Sequence, residues 1–229
     1  MLAKVDRLLD VLVPQRCLLC HEPRPGWRPF PAPGSLCPDC RTDLPWLAPP
    51  GQGSPESGRV FAALSYEYPV DRLVTAAKFH RRRECARALG ELLATALRPH
   101  QGATLPDLLV AVPLHRRRLG ERGFNQAEDI AHEVSNALRI PQDVRLCLRE
   151  RATAEQSGLS AAARRRNLRG AFRVTRDVCG ATIAVIDDVI TTGSTAATLV
   201  RALAAAGAAE VVVWAAAQTP ARAQSGRKV

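Results

Sequence analysis

The sequence predicts an α/β protein in which a parallel sheet is flanked by helices and preceded by a small module of different composition. The apolar runs at 108–112 and 183–186 are continuous, which is typical of strands that helices cover on both faces. Segments with helical periodicity or strong helix formers lie between the strands, as in an α/β fold. The first 50 residues are instead rich in cysteine, proline and glycine. We therefore expect one sizeable core and one small module that needs other support.

The most informative stretch, 183–195, reads as strand, loop and helix. Four apolar residues lead into two adjacent acids, Asp187 and Asp188, and a short Thr/Gly/Ser loop follows them. The next segment, 196–206, is rich in Ala and Leu and is a strong helix former. Gly207 stands where such a helix would end.

This order of elements predicts a site for a sugar phosphate. A loop of small residues at a helix N-terminus exposes backbone N–H groups at the positive end of the helix dipole, which suits a phosphate. Two carboxylates beside a phosphate would repel it, so we expect them to face neutral hydroxyl groups such as those of a ribose. The hydroxyl groups of the loop add donors, and its glycine allows a close approach. The predicted phosphate ligands are Thr191, Thr192, Gly193, Ser194 and Thr195.

The same 13 residues resemble, over their full length, the PRPP (phosphoribosyl pyrophosphate) motif of type I phosphoribosyltransferases. The resemblance implies that Asp187 and Asp188 hold the ribose hydroxyls, that the loop at 191–195 holds the 5′-phosphate, and that Mg²⁺ accompanies PRPP. The alternative is an ordinary turn between a strand and a helix with Ser/Thr capping, because short motifs also match by chance.

Four cysteines near the N-terminus predict a zinc site. They have the spacing C-x2-C-x16-C-x2-C, which is typical of four thiolates around one ion. The Pro/Gly-rich stretch between the pairs has no core of its own, and so small a module usually needs a metal. We expect a structural zinc, because four protein ligands leave no open position for catalysis. Disulfides are the alternative. The predicted ligands are Cys17, Cys20, Cys37 and Cys40.

Charge and composition limit the ligand classes. The net charge of +10 suits phosphorylated ligands or nucleic acid, while the strong excess of arginine over lysine is equally what a GC-rich genome would produce. Aromatic residues make up only 4% of the sequence, which argues against a surface that binds RNA or single-stranded DNA mainly by aromatic stacking. Residues 1–14 read as an amphipathic helix and not as a signal peptide, and no apolar run could span a bilayer. We expect a cytoplasmic protein.

A Pro/Gly/Ser-rich linker at 48–59 divides the chain. We predict a module over 1–50, made of a helix and a four-cysteine double zinc ribbon, and a phosphoribosyltransferase-like domain over 58–229. The single cysteines Cys85, Cys147 and Cys179 are predicted to be core residues. Strands are predicted at 60–66, 108–112, 144–148, 183–186 and 210–218, and helices at 70–79, 82–97, 125–138 and 196–206.

Basic residues follow the predicted strand 108–112 and the predicted helix 70–79. Ligands of open α/β sheets bind beyond the carboxyl ends of the strands, and we interpret 113–126 as a basic loop at such an end. Arginine can grip phosphate oxygens with two parallel hydrogen bonds. The alternative is a solvated basic corner. The predicted pyrophosphate ligands are Lys78, Pro113, Arg118 and Arg122.

Taken together, these residues resemble the ComF family, including ComFC. The family pairs a four-cysteine zinc finger with a phosphoribosyltransferase-like domain and is linked to competence, the uptake of single-stranded DNA. Type I phosphoribosyltransferases carry a lid over pyrophosphate, and the resemblance implies that Gln156, Arg164 and Asn167 belong to it; the alternative is a surface helix with solvated arginines. The resemblance also implies single-stranded DNA or the competence helicase machinery as partners. The matching residues are 113–115, Arg118, 122–126, Lys78-Phe79, Arg149, Thr153, Gln156, Arg164, Asn167 and Phe172.

The predicted function is therefore PRPP binding in DNA uptake. A transferase would displace pyrophosphate from ribose C1 by an unidentified acceptor. Purine-salvage relatives place an aspartate base in the phosphate loop, where this chain has Thr191, so no catalytic residue is assigned. The alternative is a non-catalytic protein that senses PRPP or binds nucleic acid.

Overall fold

The computed structural model describes residues 15–24, 35–47, 59–98, 105–150 and 170–220. No helix in these ranges has the length and apolar character needed to cross a membrane. The strands are β1 (Gln15–Arg16), β2 (Pro23–Arg24), β3 (Arg59–Ser65), β4 (Leu108–Ala111), β5 (Cys147–Arg149), β6 (Phe172–Val174), β7 (Thr182–Ile190) and β8 (Glu210–Gln218). The helices are α1 (Pro38–Thr42), α2 (Val70–Phe79), α3 (Arg83–Leu97), α4 (Arg116–Arg122), α5 (Gln126–Leu138) and α6 (Ser194–Ala205).

Four parallel strands in the order β3-β8-β7-β4 form the main sheet. Helices pack on both of its faces, which confirms the predicted α/β architecture. The residues of β7 alternate between the two cores: Ala184 and Ile186 join the core with α2, α3 and α5, and Ile183 and Val185 join the core with α6. Burial on both faces explains why this strand is apolar without alternation.

A second pair of strands lies apart from the main sheet. The predicted strand 144–148 is wrong in its bounds, because β5 begins only at Cys147 and pairs antiparallel with β6. The carboxylate of Asp143 accepts hydrogen bonds from the backbone N–H groups of Arg145 and Leu146. These bonds form a turn that takes the two amides out of any strand ladder.

Helix α4 replaces part of the predicted basic loop at 113–126. The side chain of His115 caps its start by accepting from the backbone N–H of Arg117, and Gly123, at φ 80°, ends it in the left-handed conformation. An ion pair of 3.0 Å between Arg117 and Glu121 spans one turn. Because α4 buries none of its residues, it has no apolar periodicity from which a helix could be predicted.

The single cysteines divide into two groups. Cys85 and Cys147 are buried, as predicted, whereas Cys179 is exposed. Cys179 lies in the turn between β6 and β7, where chain direction changes at the surface. The prediction that Cys179 is a core residue is therefore wrong.

The cysteine-containing ranges 15–24 and 35–47 pack on the main domain. Residues 45–47 run beside β3, where Ser65 donates to the carbonyl of Pro45 and Leu47 to that of Ala63. Leu36 and Leu44 are buried in the core that contains α3. The predicted helix at 1–14 and nearly all of the predicted linker lie outside the described residues, so the division into 1–50 and 58–229 stays a prediction.

Gly90 lets α3 and α5 approach closely. A Cβ at this position would lie 2.7 Å from Cβ of Glu133 and 2.9 Å from the carbonyl oxygen of Ile130. Overpacking of this kind costs about 1–3 kcal/mol, and the better helix propensity of alanine offsets about 1 kcal/mol of it. We expect Gly90→Ala to lower the free energy of unfolding, measured by urea denaturation.

Gly120 in α4 provides the matched control. Nothing lies within 4 Å of a Cβ built there, so Gly120→Ala should leave the free energy of unfolding unchanged or raise it by up to about 1 kcal/mol. Equal stabilisation of both variants would contradict the steric argument for Gly90.

Candidate functional site

The acid pair lies near the carboxyl end of β7, inside the strand. Asp188 has only 4% of its surface exposed. Its Oδ2 lies 2.9 Å from Nζ of Lys78 and accepts a hydrogen bond of 3.2 Å from Nε2 of Gln126. A buried carboxylate needs such partners, because taking a charge out of water without compensation is very costly.

Two helix termini bring these partners to Asp188. Lys78 lies in the last turn of α2, and Gln126 is the first residue of α5. Asn125 caps α5: its side chain accepts from the backbone N–H of Ala127 and donates to the carbonyl of Val112, just beyond β4. The same amide therefore starts the helix and fixes Gln126 against the neighbouring strand.

Asp187 is only partly buried, and its Oδ1 accepts from the backbone N–H of Asp188. Burial raises the pKa of the Asp187 carboxyl well above its ordinary value, the charge of Asp188 raises it further, and Lys78 opposes both. Without a ligand, Asp187 therefore holds a proton more readily than a free carboxyl. Hydrogen-bond donors from a ligand would favour its ionised form.

The predicted phosphate loop, 191–195, is open to solvent. Thr191 and Thr192 are exposed, and Gly193 takes a left-handed conformation with φ 68°. Helix α6 starts after it without a side-chain cap, although the hydroxyls of Thr192 and Ser194 lie 2.7 Å apart. No side chain of the helix's own cap therefore competes with a ligand for the amides of the first turn.

A basic cavity of about 290 Å³ adjoins the acid pair. Arg122 Nη1 donates to Oε1 of Gln126, and Nε2 of the same side chain donates to Oδ2 of Asp188. Lys78 contacts Asp188 directly, so the cavity is linked to the acid pair by two routes. Its lining residues are Lys78, Phe79, Arg81, Arg118, Glu121 and Arg122.

Three of the four predicted pyrophosphate ligands, Lys78, Arg118 and Arg122, thus line one cavity. Pro113 does not; it lines a separate cavity of about 610 Å³ between α4 and the β5–β6 pair. The lid residues Gln156 and Arg164 lie outside the described residues. Sequence reasoning included Gln126 in the segment 122–126 that resembles the ComF family but gave it no role. Its position directly after a helix-capping asparagine was a second signal.

The four cysteines Cys17, Cys20, Cys37 and Cys40 form a cluster whose Sγ atoms all lie within 4.8 Å of one another. Sγ of Cys20 is 3.8 Å from Sγ of Cys37. With Zn–S bonds of about 2.3 Å, a tetrahedral site places its sulfurs about 3.8 Å apart. The cluster could therefore hold a zinc ion with its four thiolates and no open position.

The thiols of this cluster differ in acidity. Burial by itself would raise the pKa of Cys17, but backbone N–H groups, that of Cys37 foremost, outweigh burial and lower it to about 7. Burial and the neighbouring cysteines raise the pKa of Cys40. Cys17 therefore loses its proton more readily than Cys40, and a metal that binds all four must displace the proton of Cys40.

Comparison with known proteins gives a set of relatives, although no family model matches the chain. The DNA utilization protein YhgH of Escherichia coli K12 is 39% identical over 220 residues, 88% of this chain and 96% of the relative. YhgH of Salmonella typhimurium is 40% identical over 187 residues, 79% of this chain and 82% of the relative. Competence protein F of Haemophilus influenzae is 36% identical over 156 residues, 65% of this chain and 68% of the relative.

Solved structures show a partial likeness. Glutamine phosphoribosylpyrophosphate amidotransferase from B. subtilis aligns with a TM-score of 0.39 and 23% identity over 57% of this chain and 26% of its own. Adenine phosphoribosyltransferase from Leishmania tarentolae aligns with a TM-score of 0.38 and 15% identity over 71% of this chain and 78% of its own. The family follows from the relatives identified by sequence, because the alignments with this chain span 68–96% of their length. The chain belongs to the ComF family.

Proposed function

We propose that the chain is a phosphoribosyltransferase-like protein that binds PRPP with Mg²⁺ and acts in DNA uptake or utilisation. One observation carries this proposal. The acid pair of β7 has an open helix start shortly after it in the chain, and Lys78, which pairs with Asp188, also lines a basic cavity. PRPP has the matching order of groups, with a 5′-phosphate at one end, neutral hydroxyls in the middle and a pyrophosphate at the other end.

Each part of the site is assigned to one part of the ligand. Asp187 and Asp188 accept hydrogen bonds from the ribose hydroxyls, and the loop at 191–195 donates backbone and hydroxyl groups to the 5′-phosphate. The guanidinium groups of Arg118 and Arg122 contact the pyrophosphate, whose charge the Mg²⁺ of the substrate offsets. Lys78 balances the charge of Asp188 in the free protein and reaches the same cavity. Gln156 and Arg164 belong to the proposal as lid residues.

The chemistry that this arrangement supports is displacement of pyrophosphate at ribose C1. The bond from C1 to the pyrophosphate oxygen breaks, positive charge grows on the ribose, and a nucleophilic acceptor forms the new bond. The chain contributes orientation of the ribose and stabilisation of the leaving pyrophosphate by cations. Thr191 is exposed in the loop, and its hydroxyl group cannot act as a general base, so the proposal assigns no general base.

The names of the relatives support the role in DNA handling. They are a DNA utilization protein and a competence protein, and this chain has a net charge of +10. We propose single-stranded DNA or the competence helicase machinery as cytoplasmic partners. The second candidate function is a PRPP sensor or nucleic-acid-binding protein without turnover. Release of pyrophosphate from PRPP in the presence of a panel of acceptors separates the two.

Binding of PRPP can be measured by titration calorimetry with and without Mg²⁺. We expect Mg·PRPP to bind the wild type and Asp187→Asn to weaken binding about tenfold or more, because a charge-assisted hydrogen bond contributes about 1.5–3 kcal/mol. Asp71→Asn is the control, since Asp71 lies in the first turn of α2, at the end of the helix opposite Lys78. If the wild type shows no binding of Mg·PRPP in this titration, the assignment is refuted.

The raised pKa of Asp187 has a consequence for stability. The folded state binds its proton more tightly than the unfolded state, so this group lowers the free energy of unfolding as pH rises from the ordinary value of 3.8 through the raised one. Asp187→Asn removes the effect. We expect the variant to be more stable than the wild type at neutral pH, with a difference that shrinks as the solution is acidified. Urea denaturation over a pH series measures this, and a difference independent of pH would contradict it.

We propose that the cysteine cluster binds a structural zinc ion. Cys37→Ser should lower the zinc content of the purified chain, whereas Cys179→Ser should leave it unchanged, because Cys179 is exposed and outside the cluster. Zinc affinity, measured by chelator competition, should fall as pH falls, since binding displaces thiol protons. Equal zinc loss in the two variants would count against this site.

A further inference from the structure

Phe79 is an aromatic residue that the fold leaves in water. It is the last residue of α2, and 65% of its surface is exposed. Its ring belongs to the lining of the basic cavity, and the guanidinium of Arg122 lies 5.5 Å from the ring centroid. Arg122 therefore lies over the ring of Phe79, while much of the ring stays accessible to solvent.

The surroundings of Phe79 are cationic and not apolar. The cavity contains four basic side chains and one acidic side chain, that of Glu121. Arg81 Nη2 donates to the backbone carbonyl of Glu121, a bond that does not neutralise its charge. The backbone of Arg81 is held at φ 54°, which is uncommon for a residue with a side chain. The short segment after α2 thus directs the side chain of Arg81 towards α4 and the cavity.

An exposed aromatic ring beside a cavity lined by four basic side chains and one acidic side chain matches one chemical class of ligand. An apolar protein partner would require apolar neighbours around Phe79, and an inorganic anion would not use the ring. A nucleotide uses both, because the base stacks on an aromatic face while the phosphate meets the cations. The cavity, at about 290 Å³, lies at the lower limit of about 300 Å³ for small-ligand sites, so it suits one phosphate-bearing unit.

We propose that Phe79 and the basic cavity form a nucleotide-binding site, in which a base stacks on the exposed ring and its phosphate enters the cavity. This inference deepens the proposed function and rests on it for the assignment of the cavity to phosphate groups. A nucleotide of single-stranded DNA and a free mononucleotide present the same chemistry. Because Lys78, Arg118 and Arg122 would serve both ligands, the nucleotide and PRPP compete for this cavity.

The low aromatic content does not oppose such a site. Stacking of a single base requires a single ring, whereas a platform for a run of bases requires several. Stacking tolerates any base, because every base has a π face. The site would therefore bind without sequence preference, and its affinity would fall with salt as far as phosphate contacts contribute.

The test uses the full chain and a fluorescein-labelled oligothymidylate, followed by fluorescence anisotropy. We expect Phe79→Ala to weaken binding by about tenfold, in line with the contribution of one stacked base, and Phe79→Trp to retain it. Tyr68→Ala is the matched control. Tyr68 is also exposed, at 70%, and also lies near an arginine, Arg72 at 5.3 Å, but it does not line the basic cavity.

Two further measurements are needed. One distinguishes a free mononucleotide from a DNA strand as the ligand, and the other distinguishes failure of this inference from failure of the proposed PRPP binding. If thymidine monophosphate binds with the same dependence on Phe79 while the strand does not, the site takes mononucleotides; if the strand binds with that dependence, it takes DNA. Loss of binding in Tyr68→Ala to the same extent as in Phe79→Ala, or no effect of Phe79→Ala on either ligand, overturns the inference. Titration of Mg·PRPP into the wild type and into Tyr68→Ala is a separate experiment, in which the two should match because Tyr68 does not line the basic cavity. Failure of PRPP to bind is therefore a result distinct from the outcome for Phe79→Ala.

Discussion

The buried charge of Asp188 is the constraint on which the site depends. A carboxylate in the central strand of a sheet would be very unfavourable without compensation. Lys78 supplies the opposite charge and Gln126 supplies a hydrogen bond. Lys78 lies in the last turn of α2 and Gln126 is the first residue of α5, so a single carboxylate of β7 contacts both helices. The geometry of the acid pair and the position of the basic cavity follow from the same three side chains.

Because Lys78 is already paired with Asp188, the ionised form of the second acid, Asp187, is unfavourable. Lys78 is shared between the fields of Asp187 and Asp188, and burial penalises the ionised form of Asp187. A protein that needed only stability would replace one acid by an uncharged residue. Two adjacent carboxylates near the end of a strand, shortly before a loop open to solvent, are instead typical of a binding site, where donors from a ligand complete the compensation.

The cysteine cluster has a different relation to the core. Its residues Cys17 and Cys37 are buried in the same core as α3, and residues 45–47 extend the main sheet at β3. Four thiolates drawn around one ion would hold a segment with little apolar surface in that position. The ion would thus stabilise the packing of this segment on the core next to the acid pair. Its four protein ligands would leave no open coordination position for catalysis.

The sequence by itself determined the central architecture, because its signals are local. Continuous apolar runs mark β4 and β7 as doubly covered strands, Gly207 follows the end of α6, and the cysteine spacing predicts the cluster. It did not determine α4, which buries nothing and so lacks periodicity, or the start of β5, which depends on a turn made by Asp143.

Only the tertiary structure decided which distant residues meet. Lys78, Arg118 and Arg122 share a cavity while Pro113 does not, because α4 lies beside the end of α2, where Arg122 contacts the ring of Phe79. Gln126 reaches Asp188 across 62 positions of sequence, and no local pattern carries that information. The exposure of Phe79 and of Cys179 likewise depends on what packs around them, since burial is a property of the assembled chain and not of a residue type.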